Sequence, residues 1–232
     1  MLLAAGLTAG CGEDEAALVT ERAGSGPGAV TIIRPAELAE NVPVVLFLHG
    51  WGATEPARYR PWLEHLARAG NAVIYPRYQD SFAEPPAQVL GNVVVGVRLA
   101  LERLDEDPRS LVAAGHSAGG ALAADYAAVA RAVGLPVPRA ILAAYPGRRF
   151  AGARVGIPPA GEIPSGVEVL ALRGADDGVV DQAAAREIGA RGRLLVIRTA
   201  GARDHLAPQR DDPVSRREFW ARLDALIARA RG

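Results

Sequence analysis

The chain has 232 residues, half of them apolar, which suits one domain with a substantial core. Its 26 basic and 26 acidic residues cancel and are spread along the sequence, so no field is set up that would draw in nucleic acid or an anionic surface. Every basic residue is arginine and the single cysteine is Cys11, which excludes lysine Schiff-base chemistry, a Walker-type phosphate loop, an internal disulfide and a thiolate zinc site.

The opening M-L-L-A-A-G-L-T-A-G-C is small and apolar and turns at once to G-E-D-E. Its T-A-G-C ending resembles the lipobox of bacterial lipoproteins. That resemblance implies that residues 1–11 are a signal segment, that Cys11 is lipidated, and that the protein is lipid-anchored or secreted in the bacterial cell envelope; the alternative is a cytoplasmic protein with an idle Cys11. No basic residue precedes the apolar run, a departure that a start further upstream would explain. No later stretch is long and apolar enough to span a bilayer. Residues 12–28, rich in Gly, Glu and Ala, read as a flexible tether, which leaves 29–232 as a single folded domain.

A first short strand is expected over Ala29 to Arg34, near a sheet edge. Val44 to Leu48 is a continuous apolar run of strand length, as a parallel strand buried on both faces requires. A helix around Arg58 to Ala69 ends at the Gly70-Asn71 C-cap signal, and a strand follows over Ala72 to Tyr75. After a loop with two prolines, Val93, Val97, Leu101 and Leu104 recur at helical spacing.

Leu111 to Ala114 then forms a strand that stops abruptly in G-H-S-A-G-G, and Ala118 to Ala132 reads as a helix. Further strands are expected over Arg139 to Tyr145, Val167 to Arg173 and Arg193 to Thr199, with Asp181 to Ala190 helical between the last two. Asp212-Pro213 is an N-cap and first-turn pair, and Phe219, Leu223, Leu226 and Ile227 form the apolar face of a closing helix. Strands alternating with helices indicate an α/β fold, a doubly wound and mostly parallel sheet with helices on both faces.

In such a sheet, ligands bind beyond the carboxyl ends of the strands. His49-Gly50-Trp51-Gly52, Tyr78, Ser117, Asp176-Asp177 and His205 all fall at those ends. Ser117 occupies the apex of a strand-to-helix turn in which Gly115 and Gly119 remove side chains that would collide. A serine hydroxyl needs a neighbouring base, and His205, in G-A-R-D-H-L ahead of the closing helix, can accept its proton near neutral pH.

The H-G-W-G loop, G-H-S-A-G-G, the acidic loop after a late strand and the late histidine, in that order, resemble the α/β-hydrolases of the serine-esterase, lipase and dienelactone-hydrolase type. The resemblance runs from about Ala29 to the C-terminus. It implies a Ser117–His205–Asp177 triad, with Asp177 rather than Asp176 matched by the family pattern G-x-x-D, and backbone N–H groups of Trp51 and Ala118 as oxyanion donors. It also implies carboxylic-ester hydrolysis through an acyl-enzyme, without metal or organic cofactor. Amide or thioester hydrolysis, acyl transfer and a non-catalytic binding role are the alternatives. Only Pro146 to Gly166 is available where family members insert a lid, so an open cleft lined by Trp51, Tyr78, Ala118 and Tyr145 is expected, suited to soluble or bulky esters.

Overall fold

The computed structural model describes residues 17–39, 42–104, 110–150 and 153–232. Cys11 and the rest of the lipobox-like segment lie outside them. An eight-stranded sheet carries the fold, in the order β1-β2-β4-β3-β5-β6-β9-β10. Its strands are β1 (Leu18–Ala23), β2 (Val30–Pro35), β3 (Val44–Leu48), β4 (Ala72–Pro76), β5 (Leu111–His116), β6 (Ala140–Ala144), β9 (Glu168–Gly174) and β10 (Arg193–Ile197). A two-stranded ribbon, β7 (Arg149–Phe150) and β8 (Ala153–Gly156), interrupts them. The pairs β1–β2 and β2–β4 are antiparallel and every other pair in the large sheet is parallel.

The helices are α1 (Arg60–Arg68), α2 (Val89–Leu104), α3 (Ala118–Val129), α4 (Ala183–Gly189), the short α5 (Pro213–Ser215) and α6 (Ala221–Arg231). A π-helical turn over Arg216–Trp220 joins α5 to α6. Asp212 caps this closing segment through its carboxylate, which accepts from the Val214 and Ser215 amides at 2.9 and 2.8 Å.

Why the sheet is covered on both faces can be read from β3. Val44, Leu46 and Leu48 pack with α2 and α3 residues such as Val93, Val97 and Leu122. Val45 and Phe47 point the other way, into a second core with Leu63 and Leu66 of α1 and Leu223 and Leu226 of α6. The period-two alternation of a strand thus turns one apolar run into two cores.

The expected elements are present, with shifts of a few residues at their ends. One assignment is corrected. Residues 18–23, expected within a tether, form the edge strand β1, in register with β2 from Leu18↔Pro35 to Ala23↔Val30. Only Ala23 of this strand is fully buried, so its mixed polarity gives little strand signal, while backbone pairing to β2 holds it in place.

Between β6 and β9 the described residues form the β7–β8 ribbon and irregular chain, with no helix. This crossing is pinned to α3 by a buried, bidentate pair, Arg148 to Asp125, at 2.8 and 2.7 Å, and the Asp125 side chain is 2% exposed. Removing the carboxylate leaves a largely buried guanidinium to the more distant, solvent-exposed Glu187, at 3.5 Å. Asp125→Ala should therefore lower unfolding stability by about 3–5 kcal/mol, and Asp125→Ala/Arg148→Met should recover most of that loss. Urea denaturation midpoints compare the three proteins.

Candidate active site

The strand-to-helix turn after β5 puts Ser117 at φ 58° and ψ −123°, a backbone region that L-residues with a side chain rarely adopt. Two glycines make the turn possible. A Cβ on Gly115 would sit 2.2 Å from the Gly119 carbonyl oxygen, and one on Gly119 would sit 2.0 Å from the Leu48 carbonyl oxygen. The Ser117 amide donates to the Ala144 carbonyl at 3.0 Å, and its carbonyl accepts from Gly120 at 3.0 Å and Gly147 at 3.1 Å.

The Ser117 hydroxyl lies 2.9 Å from His205 Nε2, and His205 Nδ1 lies 2.8 Å from Asp177 Oδ2. An ionised carboxylate only accepts, so Nδ1 carries the proton and the Nε2 lone pair faces the serine O–H. The other Asp177 oxygen accepts from the amides of Val179 at 3.0 Å and Val180 at 3.4 Å, which fixes the carboxylate in its loop. Asp176 turns away to Arg203, at 3.0 Å. Asp204, next to the histidine in sequence, is held by Arg210 in two bonds of 2.7 Å. The structure thus brings together Ser117, His205 and Asp177, and neither of the other two carboxylates.

As the first residue of α3, Ala118 has no intrahelical acceptor for its N–H. In the loop after β3, the Gly50 amide donates to the Tyr59 hydroxyl and the Gly52 amide to Gln79 Oε1, each at 3.0 Å. The amide between them is that of Trp51. His49 braces this loop, its ring stacked on Tyr78 with centroids 4.0 Å apart. Its nitrogens face the carbonyls of Gly50 at 2.7 Å and Arg77 at 2.8 Å.

A cleft of about 400 Å³ opens over Ser117, His116 and His205. Trp51, expected on its wall, is there, with its indole N–H donating to the Phe82 carbonyl at 3.0 Å. Tyr78 and Tyr145 are not on the wall. Both are buried, at φ 38° and 49°, a left-handed turn that directs each ring back into the protein. The Tyr78 hydroxyl donates to the His49 carbonyl and the Tyr145 hydroxyl to the Ala202 carbonyl. The wall is completed by residues that sequence reasoning missed, chiefly Arg58, Phe82, Phe150, Val179, Leu206 and Gln209. Of these only Phe82, an aromatic in a loop with two prolines, carries any signal in the sequence.

A model of the α/β hydrolase fold family matches residues 45–160. Among solved structures, a protein assigned as a dienelactone hydrolase from Klebsiella pneumoniae subsp. pneumoniae is similar at 20% identity and a TM-score of 0.67, over 91% of this chain and 99% of that one. Carboxyl esterase 2 of the mycorrhizal fungus Tuber melanosporum is similar at 17% identity and a TM-score of 0.70, over 97% and 89%. A thermostable esterase of Pseudomonas putida is similar at 17% and 0.68, over 94% and 84%. No curated protein sequence matches the chain.

Burial lowers the pKa of His49 to about 4. Burial, together with the neighbouring His205, lowers that of His116 to about 3. His116, with one nitrogen on a carbonyl and the other on a hydroxyl, is neutral in the folded protein at pH values where the unfolded chain, with a histidine pKa near 6.5, has taken up protons. Its stabilisation is therefore complete above pH 6.5 and is lost as pH falls towards the folded value. Between pH 7 and 4 the unfolding free energy should drop by about 3 kcal/mol from this ring. His116→Gln should flatten that pH dependence, as read by urea midpoints across the range.

Proposed function

The chain belongs to the α/β-hydrolase family, and from that premise we propose that it is a serine hydrolase cleaving carboxylic esters through an acyl-enzyme intermediate. The observation that carries the reading is the continuous hydrogen-bonded chain from Ser117 through His205 to Asp177. In the reaction, the Ser117 oxygen attacks the ester carbonyl carbon while its proton passes to His205 Nε2. Asp177 stabilises the imidazolium through Nδ1–H and holds the ring in the tautomer that leaves Nε2 free. The oxyanion is received by the Trp51 and Ala118 N–H groups. The imidazolium returns its proton to the departing alkoxide, and water repeats the sequence on the acyl-enzyme.

The cleft supports a bulky, largely apolar ester. Phe82, Leu206 and Val179, at 62%, 53% and 42% exposure, are three of the four exposed large apolar side chains among the described residues. All three line the cleft. An apolar acyl or alcohol group spread over this rim would remove that surface from water. Arg58 is the one permanently charged side chain in the lining and opposes a cationic substrate.

Wild-type protein should label with a fluorophosphonate and turn over p-nitrophenyl esters, whereas Ser117→Ala should fail to label and lose about 10⁴- to 10⁶-fold in kcat. Absence of wild-type labelling would overturn the reading. For charge selectivity, butyrylcholine is compared with its neutral carbon isostere, 3,3-dimethylbutyl butyrate. The neutral ester should be favoured about fivefold in kcat/KM, the size of one exposed charge interaction, and both Arg58→Gln and 0.5 M salt should narrow the gap.

A further inference from the structure

The side chains of Tyr59 and His116 are buried and belong to neither the triad nor the oxyanion pair, yet they join the two loops that flank Ser117. The Gly50 amide donates to the Tyr59 oxygen at 3.0 Å, that hydroxyl lies 2.8 Å from His116 Nδ1, and His116 Nε2 lies 2.8 Å from the His205 carbonyl oxygen. Donor roles follow from the ends of the chain. A carbonyl only accepts, so His116 Nε2 carries the proton. In a neutral ring Nδ1 then accepts, and Tyr59 donates to it while receiving the Gly50 N–H.

We infer that Tyr59 and His116 form a positioning relay that holds the amide preceding Trp51 in register with the backbone of His205. The inference rests on the serine-hydrolase reading, which assigns the two loops to oxyanion binding and proton transfer. Packing supports it independently. A Cβ on Gly50 would lie 3.1 Å from the Tyr59 oxygen, 3.3 Å from His116 Nδ1 and 3.4 Å from Ser117 Cβ, so the oxyanion loop rests directly on the relay with no side chain between.

The relay also sets a charge state. The rings of His116 and His205 have centroids 4.8 Å apart, and during turnover His205 becomes an imidazolium. A second imidazolium at that distance would oppose proton transfer from Ser117. With Nε2–H donated outward and Nδ1 capped by Tyr59, the neutral form of His116 has both nitrogens satisfied, and burial holds its pKa at about 3. The titratable and charged groups around it are Tyr59 and His205, with Arg58 beside Tyr59 and Asp177 beyond His205.

Four proteins test the relay: wild type, Tyr59→Phe, His116→Gln, and Tyr59→Phe/His116→Gln. Each is measured for kcat, KM, the pH profile of kcat/KM and imidazole ¹⁵N chemical shifts. Tyr59→Phe frees His116 Nδ1 to bind a proton. It should lose about tenfold in kcat with KM within twofold, and its acid limb should show a second ionisation. His116→Gln keeps an amide donor in reach of the His205 carbonyl but cannot titrate. It should retain the single-ionisation limb, and the double variant should return to that form.

In wild type the ¹⁵N spectrum should show His116 as the Nε2–H tautomer, neutral down to pH 4.5. A wild-type His116 that titrates near 6.5 overturns the relay, as does a folded Tyr59→Phe protein with kcat within twofold of wild type or with an unchanged acid limb. The spectrum is read without turnover. A wild-type protein that fails on esters therefore overturns the hydrolase reading, while the hydrogen-bond chain is judged on its own signals.

Discussion

The site hangs on a backbone that cannot relax. Ser117 is held at positive φ, in a class of conformations that costs about 1–3 kcal/mol. It stays there because β5 and α3 approach so closely that Gly115 and Gly119 admit no Cβ. That approach fixes three things at once. The serine oxygen stands clear of the sheet, the first turn of α3 presents free N–H groups beside it, and the loop after β3 comes within contact of the helix. A looser crossing would keep the same residues and lose their geometry.

The strain is shared along the sheet. Tyr78, Ser117 and Tyr145, the three residues other than glycine with positive φ among those described, follow the ends of β4, β5 and β6, which lie near one another in the central sheet. The two tyrosines flank the serine in chain order and anchor the loops on which it depends. Tyr78 holds the His49 carbonyl, at the start of the loop after β3, and Tyr145 holds the Ala202 carbonyl, in the segment that carries His205. Each turn of strained backbone is therefore tied down by a buried hydroxyl, and burial raises the pKa of both phenols, so they remain donors. The relay through Tyr59 and His116 ties those two anchored loops to each other, from the Gly50 amide to the His205 carbonyl.

This explains which parts of the site can be read in the sequence. Ser117, His205, Trp51 and the Asp176-Asp177 pair are legible because each follows the end of an apolar run, and the sheet's directionality collects strand ends at one edge. Tyr78 and Tyr145 sit at strand ends too, so their position is legible. Their direction is not, because a left-handed turn inverts where the ring points and nothing in the composition announces it. Choosing Asp177 over Asp176 from the residues alone is equally blind. It depends on Val179 and Val180 turning their amides onto one carboxylate and Arg203 reaching the other. β1 is hidden for a different reason: L-V-T-E-R-A lies at the sheet edge with most of its side chains partly or fully open to water, and its order comes from a partner strand rather than from its own pattern.

The short crossing between β6 and β9 couples access to chemistry. Phe150 on β7 lines the cleft and makes an isolated antiparallel bridge to Val180. Val180 in turn donates its amide to Asp177 and packs so tightly on Gly147 that a Cβ there would lie 2.3 Å from Val180 Cγ1. The wall that a substrate would touch and the loop that holds the carboxylate are thus one packed unit, pinned to α3 through Arg148 and Asp125. A mobile multi-helix lid inserted between β6 and β9 would have to break that unit or be built around it. The β7 strand instead places Phe150 on the cleft wall beside Trp51, while its bridge to Val180 ties that wall to the loop that aims Asp177 at His205.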